Sequence, residues 1–572
     1  MAIHLYKHQY LVVILLLIIM ISGIGWGLPD QYRLDLLTIN SDMTDEQLKL
    51  ISNDRNKYYN NLNQIRDQQV ENLRTGKQID FFSKPITEKK QQYISLQEKR
   101  TFFRDYILGS SAVDEKKVYS ALSQMNIKKL DFELKTFYGG AYVYPTGIMI
   151  YCLKSIGLLE ITKDLSKYVK FPHNIERMYI CGRVLNVIAF LGTLIILAIL
   201  GNHLYGFACG TTAMLIYAFS PYTMNHAVVS KPHIYAAFWI MLGLFLLIRY
   251  TLNKKNKTLI MCAICCGLGS GSLYPTVICL IMYPVLLFEH NNKQQSIKLS
   301  IVAIVISMTV LLLTNPYFLI KPLSNLLKLL YVGSGDGLGY FLSVNKIFKY
   351  FFICFCVAIC FPFGILGIFF VLKGVTENDG IIKRLSILFL LWLLILSLIL
   401  PNVRVSLFIM PLLCIITSSG FYQLFAKQRI IKNSLCILFI PGIIFLSSFT
   451  YCTVFHNRCY TPMKEWIENL KPGETIGCFG SISPVNMPAF PFWNKTIIRM
   501  EALNKENENV FPQYIVMGNY SDRIPEQWSK LDLEKRYKLL KICGMPHTNT
   551  FLKKLINMNQ SRKAAYIYQK RN

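Results

Sequence analysis

The chain has 572 residues, of which 53% are hydrophobic, 13% aromatic and 16% charged, and its mean hydropathy is +0.35. An ordinary soluble domain has roughly 25% charged residues and no repeated apolar stretches of about 20 residues, so that class is excluded. The formal charge of +28 suggests nucleic acid until it is located: residues 30–137 hold 18 basic and 16 acidic residues, residues 453–572 hold 18 and 10, and the remainder holds 25 against 7. The excess therefore sits mainly in short loops between apolar segments, which implies a bilayer with anionic lipid as partner and no nucleic acid.

Residues 10–28, YLVVILLLIIMISGIGWGL, follow Lys7 and His8 and are long enough to cross a hydrocarbon core. A cleaved signal peptide is the competing reading, but no small-x-small site closes the segment and many apolar segments follow. About a hundred polar residues come next, too many for a simple connection. Within them Leu48, Ile51, Leu62, Ile65, Val70 and Leu73 approach helical spacing over 44–75, and further helices are predicted over 86–108 and 113–126. No internal repeat or low-complexity tract is visible.

From residue 138 the apolar segments are 140–157, 178–200, 205–221, 232–250, 258–270, 273–288, 298–317, 347–372, 385–400, 404–424 and 433–453. Tyr274 and Pro275 break the 258–288 run, which gives two spans and an outer turn. Lys and Arg are retained on the cytoplasmic side. Basic clusters lie at Arg249, Lys254, Lys255 and Lys257, at Lys293 and Lys298, at Lys373, Lys383 and Arg384, and at Lys427, Arg429 and Lys432. With the N-terminus inside, all four fall inside only if 140–157 does not cross. Gly140, Pro145, Gly147 and Lys154 suit a helix lying at the interface.

The predicted fold is therefore a polytopic α-helical membrane protein of about eleven transmembrane helices. Residues 1–28 form the first of them, and residues 29–177 an extracytoplasmic loop with a helical insertion and the juxtamembrane helix 140–157. Residues 178–453 form the bundle, and 454–572 an exterior α/β domain with a helix at TPMKEWIENLKPG and apolar runs TIGCFG and QYIVM. The tail Ser561–Asn572 is expected to fray.

Spread over 110–460 are Asp114-Glu115 followed by VYSALSQMNIKKLDF and FYGGAYVYPTG, then GRVLNVIAFLGTLIILAILGNHLYG at 182–206, FSPYTMNHAVVSKPHIYAAFW at 219–239, TNPY at 314–317 and NVRVSLFIMPLL at 402–413. In this order and spacing they resemble the C-type membrane glycosyltransferases (GT-C), in the family 39-like branch containing protein O-mannosyltransferases and lipid A aminoarabinose transferases. The resemblance implies an inverting transferase that takes a sugar from a polyprenyl phosphate, outside the cell, to an acceptor hydroxyl on a glycan, lipid or protein. It implies no cofactor.

In that family an Asp in the first outer loop, often in a Pro-Asp-Glu or Asp-Glu pair, is the catalytic base. Asp114-Glu115 matches, although Val113 replaces the usual proline. The chemistry needs a carboxylate close enough to an acceptor hydroxyl to take its proton as the sugar is attacked. SAVDEKK is equally a helix start, with Asp114 as its cap. Asp35, in GLPDQYRLDLL, stands where a shorter relative would place its acid and is the runner-up, with Asp30 behind it.

Many relatives carry an acid in the second outer loop. Here TMNHAVVSKPH offers His226, Lys231 and His233 instead, which argues against a carboxylate-held divalent metal and suits a lipid-linked phosphate. The competing reading is a snorkelling Lys231 and an interfacial His233. Arg404 opens an apolar segment on the outer side, where a guanidinium can hold phosphate oxygens or simply anchor the helix. Arg183 lies within an apolar segment and needs either a structural partner or a substrate.

The loop YVGSGDGLGYF, 331–341, follows no strand and is read as a flexible outer loop. Cys262 and Cys265 lie in an apolar run, which disfavours zinc, while Cys459, Cys478 and Cys543 allow one exterior disulfide. The function class that competes with a transferase is a transporter or lipid-linked glycan flippase, which would call for charged or broken helices at the midplane or repeated halves. An inactive relative acting as an assembly partner is a third.

Overall fold

The computed structural model describes residues 6–39, 44–52, 92–322, 363–425, 460–543 and 565–571, excepting 113, 127–131, 135–137, 290–291, 377–379, 400–404, 472, 480–481, 486, 504–509, 518–527 and 529–530. Two units emerge. One comprises Met1–Ile24, Lys117–Tyr151 and Ile180–Tyr451, the other Gly25–Lys116, Cys152–Tyr179 and Cys452–Asn572.

The first unit is helical and apolar. Among the described residues three helices are long and apolar enough to cross a membrane by length and composition, His173–Tyr205, Pro232–Asn253 and Lys293–Thr314. Lys7–Gly23 and Phe207–Ala218 are shorter apolar helices. Along Lys293–Thr314 the exposed Ile297, Ile301 and Val305 recur every fourth residue, and Leu11, Ile14, Leu15 and Ile18 are exposed on Lys7–Gly23. In water such faces would be large apolar patches, whereas lipid matches them.

Inside the unit the helices approach through small residues. A Cβ on Gly243 would lie 2.6 Å from Cys266 Sγ, and one on Gly267 2.6 Å from Ser307 O. The Asn256–Ser272 helix ends where Tyr274 and Pro275 stand, and a 3₁₀ turn, Tyr274–Ile281, leads into Met282–Leu287. Gln9 is fully buried and exchanges two 3.0 Å hydrogen bonds with the Asn202 amide, while Nε2 also donates to Thr211 Oγ1 at 3.1 Å. An amide buried in apolar surroundings needs such partners, so these bonds fix the register of the first helix.

The Gly140–Ser155 helix has 16 residues, or roughly 24 Å at 1.5 Å per residue, against about 30 Å of hydrocarbon. Its start is locked by residues far along the chain. Gly139 N donates to Ser272 O (2.9 Å) and Gly140 N to Asn315 Oδ1 (2.7 Å). Asn315 Nδ2 in turn donates to Gly271 O at 3.0 Å, and Tyr274 Oη donates to Asn315 Oδ1 at 2.9 Å. A side chain at Gly139 or Gly140 would collide with Gly271 O or Thr314 O, so the paired glycines are a packing requirement.

The second unit carries a five-stranded sheet: β1 (Thr475–Cys478), β2 (Thr496–Arg499), β3 (Tyr514–Met517), β4 (Tyr537–Cys543) and β5 (Ala565–Lys570), in the order β2-β1-β3-β5-β4. β1 pairs in parallel with β2 and β3, and β5 pairs antiparallel with β3 and β4. The runs at TIGCFG and QYIVM are β1 and β3, and the expected helix spans Tyr460–Glu468. Within the tail, residues 565–570 are ordered rather than frayed: they form β5, which lies between two strands with Ile567 fully buried, and alternation within AYIYQK outweighs its charged flanks.

Residues 92–94 extend this sheet beside β2. Tyr93 bridges Ile498, Ile94 N donates to Ile497 O at 3.0 Å, and Arg499 N donates to Gln92 O at 2.9 Å. Ser95 and Glu98 then form a capping box that starts Leu96–Leu108. That helix holds β2 through a Glu98–Arg499 ion pair and through Lys99, which donates to Trp493 O (3.0 Å) and Lys495 O (2.7 Å). Burial lowers the Lys99 ammonium pKa. Cys478 is a free, buried thiol whose pKa burial raises, so it forms no disulfide; the side chains of Cys459 and Cys543 lie outside the described residues. Residues 45–52 are helical, while the rest of the 44–75 pattern, the 331–341 loop and the 433–453 segment also fall outside them.

Candidate functional site

In the second unit Asp114 and Glu115 follow the Leu96–Leu108 helix near the end of the Gly25–Lys116 segment. Asp114 is half-buried and adopts φ +66, the left-handed region that Asp tolerates better than most residues. An N-cap residue has extended backbone instead, so this geometry departs from the helix-start reading. Glu115 is fully buried, and its N–H reaches Ala112 O at 3.5 Å. Asp35 is half-buried on Gln31–Thr38 and accepts from Gln31 Nε2 at 2.9 Å, one turn away. Asp30 caps the same helix, accepting from Arg33 N at 2.9 Å.

In the first unit the segment TMNHAVVSKPH is a buried polar knot. Pro232 starts the next helix, which leaves Lys231 at its N-cap with extended backbone and only 1% exposed. Asn186, one turn beyond Gly182 on His173–Tyr205, donates to the carbonyls of Val229 and Lys231. Ser230 Oγ lies 2.8 Å from Tyr119 Oη and 3.0 Å from Tyr142 Oη, and Tyr142 Oη donates to Gly182 O at 3.0 Å. No side chain fits at Gly182, where a Cβ would run into Ser230 Oγ.

Two imidazoles join this knot. His226 and His233 are buried with ring centroids 6.2 Å apart, edge to face; His233 meets Tyr138 at 6.2 Å, and His226 meets Tyr222 at 4.5 Å. His226 Nδ1 lies 2.9 Å from Tyr222 O, an acceptor, which places a proton on Nδ1 and directs Nε2 as the basic nitrogen of the neutral ring. Arg183 is fully buried beside Gly182 and donates to Ile24 O at 2.7 Å. Arg404 lies outside the described residues.

The knot thus joins Tyr119, Tyr138–Tyr142, Gly182–Asn186 and His226–His233, four stretches that the sequence separates. It places a lysine, an arginine and two imidazoles in an apolar unit, where charge is expensive and usually serves a pathway or a bound anion. Such a set can neutralise phosphate and donate hydrogen bonds to it. Among the described residues no group of three His, Cys, Asp or Glu side chains could hold a metal ion. One residue of weight is absent from the sequence-based site: Arg33, whose partners Gly109 and Ser111 lie 76 and 78 residues away and leave no local signal.

No protein-family model matches the chain, and a comparison with curated proteins gives no match. Solved structures similar to it include the Archaeoglobus fulgidus oligosaccharyltransferase in complex with zinc and sulfate, at 13% identity and a TM-score of 0.38, covering 67% of this chain and 59% of that one. ArnT from Cupriavidus metallidurans bound to undecaprenyl phosphate is similar at 9% identity and a TM-score of 0.38, covering 80% and 93%. The archaeal oligosaccharyltransferase AglB in complex with an inhibitory peptide and a dolichol phosphate is similar at 11% identity and 0.38, covering 67% and 61%. The chain thus spans about three fifths of the oligosaccharyltransferase's length and nearly all of ArnT's.

Proposed function

We propose that the chain is an integral-membrane glycosyltransferase moving a sugar from a polyprenyl-phosphate donor to an acceptor hydroxyl at the extracytoplasmic face. The observation that carries this reading is the buried knot around Lys231, His226 and His233 in an apolar unit, together with an acid held in left-handed backbone at Asp114. Asp114 accepts the proton of the acceptor hydroxyl as its oxygen attacks the anomeric carbon from the face opposite the lipid. The bond between that carbon and the phosphate oxygen breaks, the electron pair leaves with the polyprenyl phosphate, and the anomeric configuration inverts. Lys231, His233 and Arg404 offset the charge of the departing phosphate in the manner of a preorganised oxyanion site. Glu115, buried beside Asp114, contributes to holding the base, and Asp35 is the substitute should Asp114 prove dispensable.

Asp114→Asn tests the reading, because Asn also tolerates left-handed backbone and the fold is kept while the base is removed. In host cells whose own copy is replaced by the variant, the glycosylated envelope product, quantified by mass spectrometry, falls about 10²- to 10⁴-fold, the usual contribution of a general base. An unchanged product would remove the catalytic role.

A further inference from the structure

We infer that Arg33 is the positioning residue for Asp114, clamping the loop that presents its carboxylate; this rests on the reading of Asp114 as the base. Arg33 is 5% exposed on Gln31–Thr38, and its guanidinium is spread over three points of chain. Nη1 donates to Gly109 O at 2.6 Å. Nη2 donates to Gly27 O at 2.7 Å and to Ser111 Oγ at 2.9 Å. Ser111 N closes the arrangement by donating to the same Gly27 O at 2.7 Å.

The clamp leaves no slack. Gly27 has φ +64, and a Cβ there would lie 2.9 Å from Ser111 Cβ, so the two stretches touch backbone to side chain. Upstream, Tyr179 Oη ties Leu108 O at 2.8 Å, and downstream Ser110 Oγ accepts from Ala112 N at 3.3 Å. Every residue from 108 to 112 is thereby held by hydrogen bonds, and Asp114 follows two positions later in its left-handed conformation. A non-glycine residue stays in that region only when its surroundings over-determine it, and the loop fixed by Arg33 supplies that constraint. A planar fork with several donors in fixed geometry can satisfy three acceptors at once, whereas an ammonium on a flexible stem cannot hold them in one geometry.

The test uses the detergent-solubilised full chain, supplied with graded amounts of the polyprenyl-phosphate sugar fraction extracted from host membranes, with rates normalised to folded protein. Arg33→Lys keeps charge and stem, and Ser111→Ala removes one arm of the clamp while leaving the arginine in place. Both lower kcat at least tenfold with KM for the lipid fraction unchanged, because the donor is bound elsewhere and only the base is misplaced. Arg33→Gln falls further than Arg33→Lys. A kcat for Arg33→Lys within twofold of wild type while Asp114→Asn is inactive overturns the assignment, and if Arg33→Lys does not accumulate, Ser111→Ala decides by the same criterion. An active Asp114→Asn protein instead overturns the base, and Arg33 loses its role with it.

Discussion

At Gly182 the His173–Tyr205 helix passes so close to Ser230 that a single methyl group has nowhere to go. Gly182→Ala therefore pushes Ser230 away from Tyr119 and Tyr142, destabilising the solubilised protein by about 1–3 kcal/mol, the usual range for overpacking. A lowered thermal midpoint checks this, and an unchanged one would mean that the loop yields freely. The same displacement moves the neighbouring Lys231, so transfer falls by more than the loss of folded protein accounts for. The residue types at this site were readable in TMNHAVVSKPH, where cations replace acids. Their burial was not, because a lysine at a helix start is ordinarily solvated and it is contacts from the distant Asn186, Tyr119 and Tyr142 that draw this loop inward.

Among elements, Leu96–Leu108 has the most local definition: Ser95 and Glu98 satisfy each other's backbone N–H groups at its start. Ser95→Ala removes one of these bonds and destabilises the helix by about 1 kcal/mol. Faster amide exchange over 96–102, with exchange in Lys7–Gly23 unchanged, is the expected readout; equal rates would show that Lys99 and the Glu98–Arg499 pair hold the helix without the cap. The helix expected over 86–108 starts only at Leu96, because residues 92–94 pair with β2 instead, while apolar length identified the helices of the first unit. The short strands β2, β4 and β5 escaped notice, since four to seven residues give little alternation to read and their stability comes from partners on either side.

For the whole molecule, the loop charges predict that residues 29–177 lie outside the cell. Cys152 is an exposed free thiol within that stretch, whereas Cys478 is buried with its thiol held protonated by desolvation. A membrane-impermeant maleimide applied to intact cells therefore labels Cys152 and spares Cys478, with peptide mass spectrometry identifying the site. Labelling of Cys152 only after permeabilisation would invert the topology and place Asp114 in the cytosol.

The amino-acid sequence by itself determined that segments long and apolar enough to cross a membrane alternate with polar ones, because apolar length and the placement of Lys and Arg are properties of contiguous residues. It also supplied the pieces, FYGGAYVYPTG, TNPY, SKPH and the Asp-Glu pair. Only the tertiary structure decided how they meet: Asn315 bonded to Gly140 N, Ser230 placed between Tyr119 and Tyr142, residues 92–94 added to the edge of β2, and Arg33 clasping the loop before Asp114. Each joins groups tens to hundreds of residues apart. Such pairings are selected by burial, where an unmet polar group is costly, and no local periodicity encodes them.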